Sequence, residues 1–159
     1  LFRSEEPSDP DFPDNYAHLR NYRQTSINGG ARSHVGVSTD DQFVQTRVMP
    51  TAMATSGWFG VMARYSDDGN YYYLKVGNGE ASIRKLVDGA IFELARAPFT
   101  PSVNTWYNLR LEAVGTTLRA YINDRFLLEA ADTSHASGKY GVVTYRASAT
   151  FDDFYVTQP

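Results

Sequence analysis

Apolar and polar residues alternate with a period of two along most of this chain, which is the spacing of a β-strand. The clearest example flanks a turn containing Asp68-Gly69: the run Trp-Phe-Gly-Val-Met-Ala-Arg-Tyr begins at residue 58, and the run Asn-Tyr-Tyr-Tyr-Leu-Lys-Val begins at residue 70. Two such runs around a short turn predict a β-hairpin. Alternation in its second strand assigns Tyr72, Leu74 and Val76 to a core face, and Tyr71, Tyr73 and Lys75 to the outward face.

Shorter alternating runs predict strands in the rest of the chain, with Pro50 closing the strand before it. No window of 11 or more residues shows a convincing helical period, so no long helix is predicted. Roughly ten to twelve short strands indicate an all-β sandwich or barrel. The predicted strands outside the hairpin are Tyr22 to Thr25, Ala31 to Val37, Gln42 to Met49, Ala81 to Leu86, Ile91 to Arg96, Trp106 to Val114, Thr117 to Asn123, Phe126 to Ala130, Lys139 to Tyr145 and Thr150 to Thr157.

Charged residues are distributed unevenly over this pattern. The acids cluster in turns and near the N-terminus, whereas most cations fall where the alternation points away from the core. If several of these cations share a sheet, they form a basic, tyrosine-bearing floor suited to an anionic glycan, because arginine pairs with carboxylates and aromatic rings stack on sugars. Ordinary solvation of a sheet exterior is the alternative interpretation. The predicted outward cations are Arg47, Arg64, Lys75, Lys85, Arg110 and Arg119.

Composition excludes several classes of protein. The length of 159 residues suits one domain that can bury a sizeable core. The net charge of −3 argues against a protein that binds duplex nucleic acid. The absence of cysteine excludes disulfides and thiolate metal sites. No run of 18 or more apolar residues is present, so no membrane-spanning helix is predicted.

The first residues differ in composition from the rest. Residues 1–14 are acidic and proline-rich, which predicts a linker or a loosely tethered arm. Residues 15–159 are predicted to form a single β-sandwich domain. Because the chain opens at Leu1 without an initiator methionine or a signal-peptide pattern, we expect it to be a processed or excised part of a longer protein.

Several stretches together carry a family resemblance. They read Ala-Arg-Tyr-Ser-Asp-Asp-Gly-Asn-Tyr-Tyr-Tyr at 63–73, Thr-Trp-Tyr-Asn-Leu-Arg-Leu-Glu at 105–112, Leu-Arg-Ala-Tyr-Ile-Asn-Asp at 118–124, Gly-Lys-Tyr-Gly-Val-Val-Thr-Tyr-Arg-Ala at 138–147 and Phe-Asp-Asp-Phe-Tyr-Val at 151–156. The chain resembles the concanavalin A-like, laminin-G-like jelly-roll modules attached to bacterial polysaccharide lyases and glycosidases. The resemblance extends from about Tyr22 to Val156.

The resemblance implies a fold and a binding surface. The fold is an all-β, antiparallel, two-sheet jelly-roll sandwich, with glycans lying across a concave sheet. It implies that Arg64, Asn70, Tyr71 and Tyr73 line this face, and that Tyr145-Arg146 close the last loop before the final strand. It also implies a secreted protein linked to a catalytic domain.

A calcium site is predicted at the last strand. Asp152 and Asp153 lie there, and carboxylates are ligands that calcium prefers. In related sandwiches an aspartate of the final strand helps to hold a structural calcium ion, and Asp153 matches it better by alternation. An aspartate hydrogen-bonded to the opening turn is the alternative interpretation.

Catalytic patterns are weak in this sequence. The paired carboxylates of retaining glucanases, Glu-x-Asp-x-x-Glu, are missing, and glycoside hydrolysis needs two carboxyls across one bond. A lyase needs a base such as tyrosine and a clamp for the substrate carboxylate. The string Tyr73-Leu-Lys75-Val-Gly77 has the form of the lyase family's Tyr-x-Lys-x-Gly, although it lies in mid-chain.

The sequence therefore predicts a non-catalytic, monomeric carbohydrate-binding module that targets a linked enzyme to a polysaccharide, with a uronate-containing glycan favoured. One alternative is a small polysaccharide lyase with Tyr73 as base and Arg64 as clamp, and a second is an adhesion domain of laminin-G type. The ligand is expected to lie over the tyrosines of the hairpin. The predicted ligand-binding residues are Arg47, Arg64, Asn70, Tyr71, Tyr73, Lys75, Tyr121, Tyr145 and Arg146.

Overall fold

The computed structural model describes residues 22–159, which form ten β-strands and no helix. The described part of the chain thus holds no helix that could span a membrane. The predicted arm at residues 1–14 and the start of the predicted domain lie outside the described residues. The strands are β1 (Tyr22–Gln24), β2 (Gly30–Thr39), β3 (Gln42–Asp67), β4 (Asn70–Gly77), β5 (Glu80–Val87), β6 (Ala90–Pro98), β7 (Tyr107–Val114), β8 (Thr117–Ile122), β9 (Arg125–Ala131) and β10 (Gly138–Thr157).

Two long strands, β3 and β10, run side by side and join two sheets. Their antiparallel register extends from Phe43 opposite Thr157 to Tyr65 opposite Lys139. Sheet 1 has the order β6-β5-β4-β3-β10-β2 and uses the C-terminal part of β3 with the N-terminal part of β10. Sheet 2 has the order β9-β8-β7-β3-β10-β1 and uses the other halves of the same two strands.

The sequence divides each long strand into two short ones, and this prediction is wrong. Pro50 does not end a strand, because it lies opposite Ala149 within the paired region. The register between β3 and β10 shifts beside Arg146 and again after Ser148. Such bulges bend a strand while most of its pairing continues. Both strands therefore pass from sheet 1 into sheet 2 without ending.

The main core fills the space between the two sheets. Tyr72 and Leu74 of sheet 1 pack in one cluster with Leu109 and Leu111 of sheet 2, and all four side chains are fully buried. The core face that alternation predicts for the second strand of the hairpin is confirmed. Alternation in the run beginning at Trp106 likewise predicts a core face, which is confirmed for Tyr107, Leu109, Leu111 and Ala113. The predicted all-β, antiparallel two-sheet sandwich is confirmed with it.

A second cluster covers the outer face of sheet 1, which is the face turned away from the main core. Apolar residues from β3, β4, β5 and β10 form this second cluster, and Trp58 packs against it. Because β4 is buried on both faces, its residues from Tyr71 to Gly77 are all buried. The members of the second cluster are Met62, Tyr65, Tyr71, Tyr73, Leu86 and Val143.

Candidate functional site

The outer face of sheet 1 brings together four of the predicted ligand-binding residues. Tyr71, Tyr73 and Lys75 alternate along β4, and Tyr145 of β10 lies opposite Trp58 of β3. The Trp58 ring is 5.3 Å from the Tyr73 ring and 6.1 Å from the Tyr145 ring, and both pairs are stacked. Three rings from three neighbouring strands therefore form a continuous aromatic row, Tyr145–Trp58–Tyr73.

The expectation that the hairpin tyrosines are exposed is wrong. Tyr71 is 2% exposed and Tyr73 is 1% exposed, while Lys75 is 6% exposed. Their side chains lie on the predicted face, but the two tyrosines pack within the second cluster and Lys75 is held by Glu80. Tyr145 is 41% exposed and Trp58 is half-buried. A ligand on this face would thus meet Tyr145 and Trp58 first, with the hairpin tyrosines supporting them.

A glycine allows two backbones of this sheet to approach closely. Gly60 lies opposite Lys75, between Trp58 and Met62 on β3, and carries no side chain in the middle of the face. A Cβ atom at Gly60 would overlap the carbonyl oxygen of Leu74. Glycine at position 60 therefore allows β3 and β4 to approach closely beside Trp58.

Cations on this face are neutralised by acids, so the expectation of a basic floor is wrong. The Lys75 ammonium donates to the Glu80 carboxylate at 2.6 Å, and the Arg84 guanidinium donates to Glu80 at 2.7 Å and to Glu93 at 2.8 Å. The hydrogen bond from Lys75 lowers the pKa of Glu80. Arg32 of β2, on the same face, pairs with Asp68 at 3.1 Å. The face thus presents fixed ion pairs.

Burial affects the acidity of the hairpin tyrosines. It raises the pKa of Tyr73 to about 12, and it also raises the pKa of Tyr71. Both phenols therefore keep their protons near neutral pH. The Arg32 guanidinium donates to the Tyr71 hydroxyl oxygen at 3.2 Å. Because Tyr73 is also 1% exposed, it does not offer the accessible base that the lyase alternative needs.

Arg64 does not lie on this face, and the prediction that it points outward is wrong. Its φ angle is 51°, and the register of the hairpin shifts between Ala63 and Asp67. The shifted side chain is buried at one end of the sandwich, where it donates to the main-chain oxygens of Asp40 at 2.8 Å and His135 at 2.9 Å. Arg64 and Tyr73 therefore do not form the pair that the lyase alternative requires.

Arg47 and Tyr121 lie on the outer face of sheet 2, so they do not share a surface with the hairpin tyrosines. The Arg47 guanidinium lies 4.7 Å from the centre of the Trp106 ring, and it pairs with Asp153 at 3.5 Å. The Arg110 guanidinium lies 4.0 Å from the centre of the Tyr121 ring. The expectation of one floor holding all of these residues is wrong.

Asn70 and Arg146 make contacts that stabilise turns. The Asn70 amide donates to Asp67 at 3.0 Å and its oxygen accepts from the main-chain N–H of Asp88 at 3.0 Å. Arg146 has a φ angle of 47° and donates to the Ser56 hydroxyl at 3.0 Å. A role of either residue in binding a ligand stays a prediction.

Asp152 and Asp153 each have another partner within the described residues. The Asp153 carboxylate faces Arg47, and the Asp152 carboxylate accepts the main-chain N–H of Asp153 at 2.9 Å. Within residues 22–159, no group of three or more acidic, histidine or cysteine side chains could hold a metal ion. The acidic residues 1–14 lie outside the described range, so the predicted calcium site stays a prediction.

Residues absent from the predicted set also belong to this face. Arg32 of β2 and Arg84 of β5 cover the hairpin tyrosines. The sequence does indicate Arg84, because alternation along β5 from the buried Ile83 places Arg84 on the outer face and Lys85 on the core side. Lys85 indeed reaches the end of the sandwich, where it pairs with Asp132 and donates to Ser134 at 2.8 Å. The prediction of an outward Lys85 is wrong.

Comparison with solved structures finds proteins with the same fold. The carbohydrate-binding module CBM66 from Bacillus subtilis superposes with a TM-score of 0.76, covering 91% of this chain and 96% of that module at 20% identity. A protein of unknown function with a galectin-like fold, also from Bacillus subtilis, superposes with a TM-score of 0.70 at 15% identity, covering 87% of this chain and 81% of that one.

Sequence comparison gives a shorter match. The levanase of Bacillus subtilis (strain 168) is 30% identical over 69 residues, which cover 43% of this chain and 10% of the levanase. The match thus spans about a tenth of that enzyme's length. No family model matches the chain. The structural likenesses confirm the predicted resemblance in fold: the chain has the jelly-roll sandwich of these modules.

Proposed function

We propose that the chain is a non-catalytic carbohydrate-binding module, and that glycans bind to the outer face of sheet 1. The aromatic row Tyr145–Trp58–Tyr73 is the observation that carries this proposal. Tyr145 is exposed and Trp58 is half-buried, and the buried Tyr73 ring stacks against Trp58 and holds it in place. Aromatic faces stack on the apolar faces of sugar rings, and a rigid platform loses little conformational entropy when it binds.

The ion pairs of the same face supply the polar contacts. Glu80, Glu93 and Arg84 are held by one another in fixed positions, so their remaining donors and acceptors are oriented before a ligand arrives. Sugar hydroxyls can both donate to the carboxylates and accept from the guanidinium. A few stacking and hydrogen-bonding contacts of this kind give weak binding, at micromolar to millimolar concentrations.

The ion pairs of Lys75 and Arg84 with Glu80 bear on the kind of glycan that this face would bind. A uronate-binding face needs cations whose charge is available to the ligand, whereas Lys75 and Arg84 share Glu80. The preference for uronates stays a prediction, and these ion pairs argue against it. We therefore propose that neutral polysaccharides bind at least as well as uronate polymers. Levan is the first candidate, because part of the chain is similar to a levanase.

The similarity to the module CBM66 and to part of a levanase supports a role beside a catalytic domain of the same chain. We propose that the chain belongs to a secreted protein and holds a linked catalytic domain close to its polysaccharide. Such attachment raises the effective concentration of substrate without any chemistry by the module itself. The separation of Tyr73 from Arg64 supports this function over the lyase alternative.

Affinity electrophoresis in gels containing one polysaccharide each tests the proposal. The panel contains levan, xylan and a mixed-linkage β-glucan as neutral polymers, and alginate and polygalacturonate as uronates. We expect retardation by at least one neutral polymer. Trp58→Ala should weaken this binding about tenfold or more, since loss of one stacking platform removes much of a weak interaction. Trp106→Ala, on the other sheet, is the matched control and should bind like the wild type.

Three results would count against the proposal. Equal loss of binding in Trp58→Ala and Trp106→Ala would exclude the outer face of sheet 1 as the site. Formation of unsaturated, ultraviolet-absorbing products from the uronates would favour the lyase alternative. Absence of binding to every glycan, together with binding to a protein ligand, would favour an adhesion domain.

Repeating the gels with a chelator tests the predicted calcium ion.

A further inference from the structure

A cleft lies at one end of the sandwich, where three connections meet. The turn between β2 and β3 contributes Asp40 and Asp41, the turn between β7 and β8 contributes Thr116, and the segment after β9 contributes Asp132 and Thr133. The cleft, called the end cleft below, has a volume of about 380 Å³. This volume falls within the range of small-ligand sites in proteins.

Arg64 holds one wall of the end cleft in place. Its guanidinium bonds to the main-chain oxygens of Asp40 and His135, and it lies 3.4 Å from the Asp41 carboxylate. The same Asp41 oxygen accepts the main-chain N–H of Gly115 at 2.8 Å. The positive φ angle that directs Arg64 toward these loops is costly for a residue other than glycine, and such strain is found where surrounding contacts fix it.

Asp132 holds the opposite wall. Its carboxylate accepts the Tyr72 hydroxyl at 2.7 Å and the main-chain N–H of Ser134 at 2.8 Å, and it pairs with Lys85. Partial burial opposes ionisation, but the hydrogen bonds from Lys85, Ser134 and Tyr72 outweigh it and hold the pKa of Asp132 far below its usual range. The walls of the end cleft are therefore formed before any ligand binds.

The charges in and beside the end cleft indicate what kind of ligand fits. Asp41 pairs with Arg64 and Asp132 pairs with Lys85, and Asp40 is a third acidic residue in the lining. The buried guanidinium disfavours a metal cation, and the described residues form no metal-binding group. The carboxylates disfavour an anion. Of the three kinds of ligand, a neutral and polar one therefore fits these charges best.

The groups at the rim suit hydroxyls. Within residues 22–159, no side chain pairs with the Asp40 carboxylate, and this residue is exposed. Thr116 and Thr133 are exposed and carry hydroxyls that both donate and accept. We propose that the end cleft binds one neutral sugar residue, such as the end or a side branch of a glycan, independently of the outer face of sheet 1. This second site goes beyond the proposed function and does not require it.

Nuclear magnetic resonance titration of the whole chain with single sugars tests this site. Fructose, glucose and galactose are added separately to roughly 100 mM, above the millimolar dissociation constants typical of single-sugar contacts. We expect at least one sugar to shift the backbone amide signals of Gly115, Thr116 and Thr133. Asp40→Asn should weaken this binding about fivefold or more, because a charged acceptor is lost.

Asp124→Asn is the matched control, since Asp124 is an exposed turn aspartate at the opposite end of β8. It should leave the shifts at Gly115 and Thr116 unchanged, as should Trp58→Ala. Absence of shifts at these amides with all three sugars would overturn the proposal. Equal weakening by Asp40→Asn and Asp124→Asn would overturn it as well. Loss of polysaccharide binding in Trp58→Ala with intact shifts at Gly115 would show that the two sites are separate.

Discussion

The two tryptophans of this chain lie on opposite outer faces of the sandwich, and their surroundings differ. Trp58, on sheet 1, stacks between Tyr73 and Tyr145 above a buried cluster. Trp106, on sheet 2, stacks with the exposed Arg47 side chain. The first face is an aromatic surface supported from below, whereas the second is a solvated sheet exterior. The contrast shows that aromatic residues on the outside of a sheet can belong to a buried cluster or lie among exposed charged side chains, and alternation alone does not distinguish the two.

The largest expected difference between the faces is in stability. Tyr73→Ala removes a buried ring and should lower the free energy of unfolding by about 3–5 kcal/mol. Tyr121→Ala removes a half-buried ring from sheet 2 and should lower it by about 1 kcal/mol. Chemical denaturation followed by fluorescence measures both values. Equal losses would show that the outer face of sheet 1 is no second core.

A smaller effect is expected where the backbones approach closely. Gly60→Ala should lower the free energy of unfolding by about 2–3 kcal/mol, because its Cβ would overlap the Leu74 carbonyl oxygen. Gly30→Ala, at the rim of the same face, is the control. Its Cβ would make ordinary contact with Tyr145 at 3.6 Å, so a change within about 0.5 kcal/mol is expected. Thermal melting curves of the two variants should therefore separate clearly.

The ion pairs give a third contrast, which depends on pH. Glu80→Gln leaves the buried Lys75 without its charged partner and should cost about 1–2 kcal/mol near neutral pH. Glu129→Gln breaks an exposed pair with Arg119 on sheet 2 and should cost less than about 0.5 kcal/mol.

The direction of the pH dependence follows from the lowered pKa of Glu80. A carboxylate whose pKa is lowered by folding stabilises the protein above its unfolded pKa, near the ordinary value of 4.5, and loses this contribution as the pH falls through the folded pKa. The difference between wild type and Glu80→Gln should therefore shrink below about pH 4. A difference that stays constant from neutral to acid pH would contradict the role assigned to this ion pair.

Alternation predicted much of the fold because it is a local property. It gave the core faces of β4 and β7, since each of these strands has one face toward the main core. It could not show that β3 and β10 continue from one sheet into the other. Pro50 and Arg146 resemble strand ends in sequence, and only the pairing of the two long strands keeps the chain extended there.

The candidate site was only partly predictable. Alternation placed Tyr71, Tyr73 and Lys75 on one face, but their burial depends on Trp58, Arg32 and other side chains from neighbouring strands. The register shift after Ala63 turns the Arg64 side chain away from this face. No glycine or proline at that position indicates such a shift in the sequence. Alternation also cannot tell which sheet an outward residue belongs to, which is why Arg47 and Tyr121 were assigned to the wrong face.

The indole N–H signals of Trp58 and Trp106 report separately on the two faces, and they allow one direct test. An oligosaccharide cut from the polysaccharide that binds in the gel assay is titrated into the labelled protein. The account predicts that the Trp58 signal shifts in proportion to saturation while the Trp106 signal stays in place. A shift of Trp106 with an unmoved Trp58 would contradict the claim that glycans bind to the outer face of sheet 1.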